Sequence, residues 1–359
     1  MKIAQVAPLM ESVPPKCYGG TERVVSWITE ELVRQGHDVT LFAAGDSVTS
    51  ANLIPCSPQG LRLAKALDPM AHHVVMLNEI RSRAAEFDII HFHIDYLHFP
   101  LFCDKPRQTL TTLHGRLDLP DLPVVFGAFP QMRLVSISND QRRPLSWLNW
   151  VGTVYHGLPR DLLPYCERPS WDYLAFLGRI CPEKRVDRAI MIAKRAGMKL
   201  KIAAKVDPVD QKYFESQIKP LLDDPLIEFV GEIGDEDKAE FLGNAYALLF
   251  PIDWPEPFGL VMIEAMSCGT PVIAYRRGSV PEVIEHGLTG LIVENEDEAV
   301  TAVRRARMLD RMWVRQRFEE RFSIERMVAD YCALYSGVTE QSDTAERASA
   351  KPATPSARA

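Results

Sequence analysis

The feature that most restricts this chain is an alternation of short apolar runs with helix-period segments, carried through twice. In the first half, residues 2–7 form an apolar run. After a Pro/Gly loop, residues 22–34 place Val24, Val25, Ile28, Leu32 and Val33 at the 3.6-residue period of a helix. Gly36 ends that helix, and 38–44 reads as the next strand. Further strands are predicted at 88–94, 109–114, 134–138 and 152–155, with helices at about 70–86 and 139–148. A second series gives strands at 173–177, 200–204, 227–230, 247–251, 271–274 and 290–293. Between them lie helix patterns at about 185–196, 209–222, 236–244 and 260–267. Short apolar strands separated by helices mean parallel sheets covered on both faces. Two series mean two doubly wound α/β domains. The switch falls within 156–170, where Pro159, Pro164 and Pro169 break regular structure. A last helix, about 323–337, carries Ile324, Met327, Val328, Tyr331, Leu334 and Tyr335 on one stripe and must pack on something. Residues 339–359, rich in Ala, Ser, Thr and Pro, read as a disordered tail.

Charge agrees with two parts. Residues 1–160 hold 15 Lys+Arg and 15 Asp+Glu, whereas 161–359 hold the remaining 26 and 33 and so all of the net charge of -7. That sign disfavours nucleic acid as a partner. No window approaches the ~20 apolar residues of a membrane span, and the start runs straight into a strand rather than a signal peptide. The expected location is the cytoplasm. Seven cysteines (Cys17, Cys56, Cys103, Cys166, Cys181, Cys268 and Cys332) form no CxxC pair and are odd in number, which argues against a disulfide framework or a zinc cluster.

In doubly wound domains ligands bind beyond the carboxyl ends of the strands. Three strand-to-helix loops stand out there. After 173–177 comes Gly178-Arg-Ile-Cys-Pro-Glu-Lys184-Arg, in which Arg179 and Lys184 leave one strand end near a helix start. This suits a phosphate or diphosphate, although two solvated cations would look the same. After 247–251 comes Asp253-Trp-Pro-Glu256-Pro-Phe-Gly-Leu-Val-Met-Ile-Glu264-Ala-Met-Ser-Cys-Gly269. Pro255 and Pro257 keep Glu256 extended, and Gly259 allows close backbone approach. Glu264 is the only charge on an otherwise apolar helix. A buried carboxylate needs donors, supplied by ribose hydroxyls or by an internal ion pair with an arginine. In the first half, Cys17-Tyr-Gly19-Gly20-Thr-Glu22-Arg23 is a paired-glycine turn, weak evidence by itself. The chain has neither GxGxxG nor GxxxxGK[ST]. His114 ends the strand 109–114. His91, His93, Asp95 and His98 suggest a metal site only weakly, since strand-end histidines commonly hydrogen-bond within a fold.

Together these residues resemble the retaining glycosyltransferases of family 4, over most of the chain and most strongly across 173–293. The markers are Gly178-Arg179…Pro182-Glu-Lys184, Phe229-Val-Gly-Glu, Glu256-Pro-Phe-Gly…Glu264-Ala-Met-Ser-Cys-Gly-Thr-Pro-Val-Ile-Ala and Gly287-Leu-Thr-Gly-Leu-Ile-Val. The resemblance implies the GT-B architecture: two Rossmann-like domains facing each other across a cleft. Residues 1–160 would bind the acceptor and 161–322 the nucleotide-sugar donor, with 323–337 crossing back onto the first domain. It implies that Arg179 and Lys184 bind the donor diphosphate and steady the leaving group, and that Glu264 holds the ribose. Glu256 would bind sugar hydroxyls with the backbone N–H groups of Phe258, Gly259 and Leu260. Gly19 and Gly20 would approach the diphosphate from the other domain, and His114 would lie near the transferred sugar. No metal and no cofactor are implied. UDP-, GDP- and ADP-sugars all fit as donor. A saccharide, a lipid-linked sugar or a small molecule fits as acceptor, with loops 117–130 and 139–150 nearby. A peripheral membrane contact through Arg142, Arg143 and their neighbours stays open. A GT-B-like epimerase and a non-catalytic nucleotide-sugar-binding protein are the competing readings.

Overall fold

The computed structural model describes residues 1–16 and 19–349. It contains two wholly parallel sheets. The first has seven strands: β1 (Lys2–Val6), β2 (Asp38–Ala44), β3 (Asn52–Ser57), β4 (Ile89–Phe92), β5 (Thr109–Thr112), β6 (Leu134–Ser136) and β7 (Trp150–Thr153). Their spatial order is β3-β2-β1-β4-β5-β6-β7. The second has six: β8 (Tyr173–Arg179), β9 (Lys199–Lys205), β10 (Ile227–Gly231), β11 (Ala247–Phe250), β12 (Val272–Tyr275) and β13 (Gly290–Val293), in the order β10-β9-β8-β11-β12-β13. In each sheet the strand order reverses beside the first strand, between β1 and β4 and between β8 and β11. Those are the two places where a ligand crevice opens in such sheets. This is the GT-B architecture that the family resemblance implies.

The strands form where branched and aromatic side chains run without interruption. Ile3, Ala4 and Val6 on β1 are fully buried, as are Val272 and Ala274 on β12. The helix Gly20–Arg34 buries Val24, Val25, Ile28 and Leu32 against the first sheet, and Gly36, at φ +82, sits just beyond its end in the left-handed region.

Four local expectations change. The strand β3 escaped prediction because it is an edge strand interrupted by Pro55, with half-exposed residues and little alternation. Residues 139–148 hold only the short turn Arg143–Leu145 rather than a helix, since Pro144 cannot continue a ladder and β7 follows at once. The helix expected at 209–222 is a chain of separate turns, Pro208–Asp210, Gln211–Tyr213, Phe214–Ile218 and Lys219–Leu221, with Pro220 among them. Two helices, Glu296–Ala306 and Arg311–Arg321, follow β13 where no element was predicted.

The final helix runs Ile324–Ser349, so residues 339–349 continue a helix where composition predicts an irregular tail. Ala, Glu and Arg at 345–348 are good helix formers and need no apolar partner to extend an anchored helix. The rest of that expected tail, 350–359, lies outside the described residues. The anchor is firm: Tyr331 and Tyr335 are fully buried and reach Thr112 and Gln5 of the first domain at 3.0 Å and 3.2 Å. The chain enters this helix through Ser323, bridged to Leu158 in the linker. Arg326 donates to the carbonyls of Tyr155 and His156 at 2.6 Å and 3.0 Å. Among the described residues no helix is long and apolar enough to cross a membrane.

Candidate functional site

A cavity of about 800 Å³ opens between the carboxyl ends of the two sheets. From the second domain it is lined by Arg179, Lys184, Glu256, Phe258, Gly259, Leu260 and Glu264, and from the first by Gly19, Gly20 and His114. Every residue singled out for the donor site therefore meets in one place.

Local structure explains each position. The strand β8 continues to Arg179 itself, two residues further than the apolar pattern, so this guanidinium stands at the strand end and not in a loop. It faces Asp207 and Asp210 at 3.5 Å and 3.6 Å. Lys184 follows on the next turn. Its ammonium pairs with Glu256 and lies over the rings of Trp254 and Phe250, 5.3 Å and 5.5 Å from their centroids. Glu256 lies outside any helix, as its flanking prolines require, and also accepts from the Trp254 indole at 2.9 Å. Gly259 caps the helix Leu260–Ser267 at φ +81, a left-handed conformation that glycine adopts without cost. The first N–H groups of that helix have no partner within it.

Glu264 is buried on the same helix and pairs with Lys238 at 2.9 Å. The internal partner is thus a lysine, not the arginine weighed from sequence. Lys238 also reaches Asp235 at 3.2 Å, and Asp235 in turn is bound by Arg23 of the first domain. Burial pulls the Lys238 ammonium down, but Glu264 and Asp235 outweigh it and hold its pKa above the ordinary value. Asp235 is held below the usual carboxylate range because Lys238 and Arg23 overcome the effect of burial.

Gly20 faces Leu260 across the cleft, so that a Cβ on it would lie 3.9 Å from the leucine methyl. A Cβ on Gly19 would stand 2.8 Å from Pro15, so the turn before the helix needs glycine there. Glu22, in the first turn of that helix, is buried beside the cavity, and burial raises its pKa. His114 donates or accepts through Nε2 to His93 Nδ1 at 2.9 Å and stacks on His156, ring centroids 5.4 Å apart. His91 and His98 are engaged within the fold. His91 bonds Tyr335 and Thr112, both at 2.8 Å, and His98 bonds Thr111 at 2.9 Å while stacking on Phe92.

Three contributors escaped sequence reasoning. Lys238 sits in the run Asp235-Glu-Asp-Lys238, which reads as a solvated helix start. Trp254 lay inside a quoted motif but carried no role. Gly278, at φ +52, packs its Cα against the backbone of Glu256, where a Cβ would come within 2.4 Å of the Glu256 N and O. Ser279 completes that clamp, its N–H donating to the Glu256 carbonyl at 3.0 Å and its hydroxyl to the Phe258 carbonyl at 2.7 Å. A second cavity, about 490 Å³, shares Trp254 and Pro257 with the first. It is lined from the first domain by Arg116, Leu117, Asp118, Asp140, Gln141, Arg143 and Pro144.

Comparison with known proteins agrees with this arrangement. Residues 18–195 match Glycosyltransferase Family 4 and residues 169–321 match Glycosyl transferases group 1. The chain is 35% identical over 130 residues to N-acetyl-alpha-D-glucosaminyl L-malate synthase of Bacillus anthracis, covering 32% of this chain and 34% of that protein. It is 30% identical over 257 residues to D-inositol 3-phosphate glycosyltransferase of Mycolicibacterium smegmatis, covering 65% and 54%. The chain thus spans about a third and about half of the lengths of these two relatives. Among solved structures, HepE of Anabaena in complex with UDP and glucose shares the fold with a TM-score of 0.70 at 18% identity, over 94% of this chain and 100% of that one. With two overlapping family matches that together run from residue 18 to 321, and two parallel sheets meeting at one cleft, this chain belongs to the family 4, group 1 glycosyltransferases of GT-B fold.

Proposed function

We propose that the protein transfers a hexose-type sugar from a nucleotide-sugar donor to an acceptor hydroxyl, with retention of anomeric configuration and without a metal. The observation that carries this reading is the meeting of two cations, two carboxylates and a glycine-capped helix start from one domain with a paired-glycine turn and a histidine from the other, all on one cavity. Arg179 and Lys184 bind the diphosphate and offset the charge that grows on it as it leaves. Their combined charge is the reason to expect no metal. Glu264 accepts from the ribose hydroxyls while it holds the Lys238 ammonium at 2.9 Å. Glu256, steadied by Lys184 and Trp254, accepts from sugar hydroxyls beside the N–H groups of Phe258, Gly259 and Leu260. Gly19 and Gly20 close on the diphosphate, and His114 meets the sugar from the acceptor side. HepE is described with UDP and glucose, which favours a uridine donor here.

The reaction breaks the bond between the anomeric carbon and the diphosphate oxygen. The acceptor oxygen joins that carbon on the same face, and its proton passes to the leaving phosphate. The acceptor enters through the second cavity, which adjoins the first at Trp254 and Pro257. Its lining sets Arg116, Arg143, Arg276 and Arg277 against Asp118, Asp140 and Asp253, and this excess of cations suits an anionic acceptor, in keeping with relatives named for L-malate and for D-inositol 3-phosphate.

Incubation with a panel of UDP-, GDP- and ADP-sugars and anionic or neutral acceptors tests this. The expected result is release of free nucleoside diphosphate with formation of a glycoside of the donor's own anomeric configuration. Epimerised nucleotide sugar without free nucleotide, or binding with no turnover across the panel, would overturn it.

A further inference from the structure

The first domain contains a chain of hydrogen bonds that begins on the C-terminal helix and ends at His114 in the cavity. Tyr335 OH lies 3.2 Å from Gln5 Nε2, Gln5 Oε1 lies 2.9 Å from His93 Nε2, and His93 Nδ1 lies 2.9 Å from His114 Nε2. Tyr335 OH also lies 2.8 Å from His91 Nδ1. Gln5 and His91 are fully buried, and so is Tyr335; His93 is 3% exposed. Burial holds both His91 and His93 far below the ordinary histidine pKa and depresses His114 to about 3, so all three rings are neutral.

A neutral imidazole carries one N–H and one bare nitrogen, so the polarity of such a chain is transmitted along it. The Gln5 amide presents its oxygen, which only accepts, to His93 Nε2. That nitrogen must carry the proton. His93 Nδ1 is then bare, and His114 Nε2 must donate to it. His114 Nδ1 is left without a proton, as the ring's remaining polar atom on a residue that lines the cavity. The Gln5 amide nitrogen fits the same sense, donating to Tyr335, whose hydroxyl then donates to His91 Nδ1. The metal reading of these histidines leaves this arrangement unexplained, because His91 and His93 spend both ring nitrogens on neighbours and His114 spends its Nε2 on His93.

We propose that Tyr335, Gln5 and His93 are positioning residues that fix the tautomer of His114, so that its bare Nδ1 accepts a hydrogen bond from a hydroxyl of the donor sugar. This rests on the donor reading of the cavity and extends it. It makes the C-terminal helix, which touches the cavity nowhere through Tyr335 itself, a participant in setting the hydrogen-bonding character of the site. A buried tyrosine that served packing alone would work equally well as phenylalanine.

Side-chain ¹⁵N spectra of the histidines in the full-length protein test the proposal without any need for turnover. The expected result for His114 is a protonated Nε2 and a bare Nδ1. A protonated Nδ1, or a ring that exchanges freely between tautomers, would overturn it even if the protein proves to be an active transferase. Conversely, the tautomer result stands on its own if no nucleotide sugar is turned over. Tyr335→Phe and Gln5→Met then test the relay. Each is expected to mix the two tautomers of His114 and to lower kcat about fivefold, the factor one neutral hydrogen bond is worth, with KM for the donor changed less. A His114 signature and kcat unaltered in both variants would overturn the relay. The two substitutions lie on different elements, so a folding defect in one leaves the other as the test.

Discussion

At the residue scale, the site is a set of charges that are partnered before any ligand enters. Glu264 is held by Lys238, Glu256 by Lys184, and Arg179 by Asp207 and Asp210. Unpartnered buried charges would cost several kcal/mol, so the cavity carries its own counter-ions, as the proposed donor pocket requires. Sequence showed Glu256, Glu264, Arg179 and Lys184 because their motifs leave strand ends. It did not show Lys238, whose acidic neighbours look like an exposed face, nor Gly278, whose role is a contact with a backbone 22 positions away in the chain. Lys184→Ala is expected to lower kcat/KM for the donor by roughly 10²–10³, the usual loss when one electrostatic stabiliser of a transition state goes. Steady-state kinetics checks it. Gly278→Ala forces a Cβ into the Glu256 backbone at a positive φ. It should cost ~1–3 kcal/mol in strain and displace Glu256, so activity falls by more than the loss of folded protein explains. Comparing kcat with the thermal midpoint of the variant separates the two.

At the element scale, the doubly wound pattern was legible because its central strands are buried on both faces and read as unbroken apolar runs. The edge strand β3 and the turns across 208–221 were not, since their form depends on what they pack against and on interrupting prolines. The buried histidines of the first domain also carry a consequence for stability. His91, His93, His98 and His156 are almost wholly buried, and burial holds the pKa of each well below the ordinary value of about 6.5. In the unfolded chain they take up protons below that pH; in the folded chain they do not. Their contribution is therefore present in full above about pH 6.5 and is lost as pH falls from there towards the folded pKa values. Each histidine steepens the loss by up to about 1.4 kcal/mol per pH unit. With His114, depressed to about 3, making a fifth such group, denaturant midpoints measured from pH 7.5 to 5 should fall steeply below 6.5, with an uptake approaching five protons. His98→Gln should make that slope shallower by about one proton.

At the scale of the whole molecule, three sets of contacts are among those that join the domains. The C-terminal helix packs Tyr331 and Tyr335 on the first sheet. Glu282 of the second domain accepts from the N–H groups of Asn139 and Asp140, both at 2.7 Å, and from the Tyr155 hydroxyl at 2.8 Å. Burial and Glu282 push that phenol up to about 12, so it remains a donor. Arg23 binds Asp235 across the mouth of the cavity. This last pair is partly exposed and contributes no more than about 1 kcal/mol. Asp235→Asn should therefore loosen the cleft without unfolding either domain, giving a larger radius of gyration by small-angle scattering and a thermal midpoint close to that of the parent. An unchanged scattering profile would show that the pair does not hold the cleft. The two-domain plan was readable from the repeated pattern and the prolines of 156–170, whereas contacts between domains leave no periodic mark in a sequence.

Everything proposed for this protein depends on the cavity between the two sheets binding a nucleoside diphosphate linked to a sugar. Calorimetric titration of the full-length protein with UDP, GDP and ADP measures it directly, alongside Lys184→Ala and Glu264→Gln. The expected result is saturable binding of at least one diphosphate, weakened at least about tenfold in each variant, the loss of roughly one charge-assisted hydrogen bond. Binding of none of the three, or equal affinity in the parent and both variants, would contradict it.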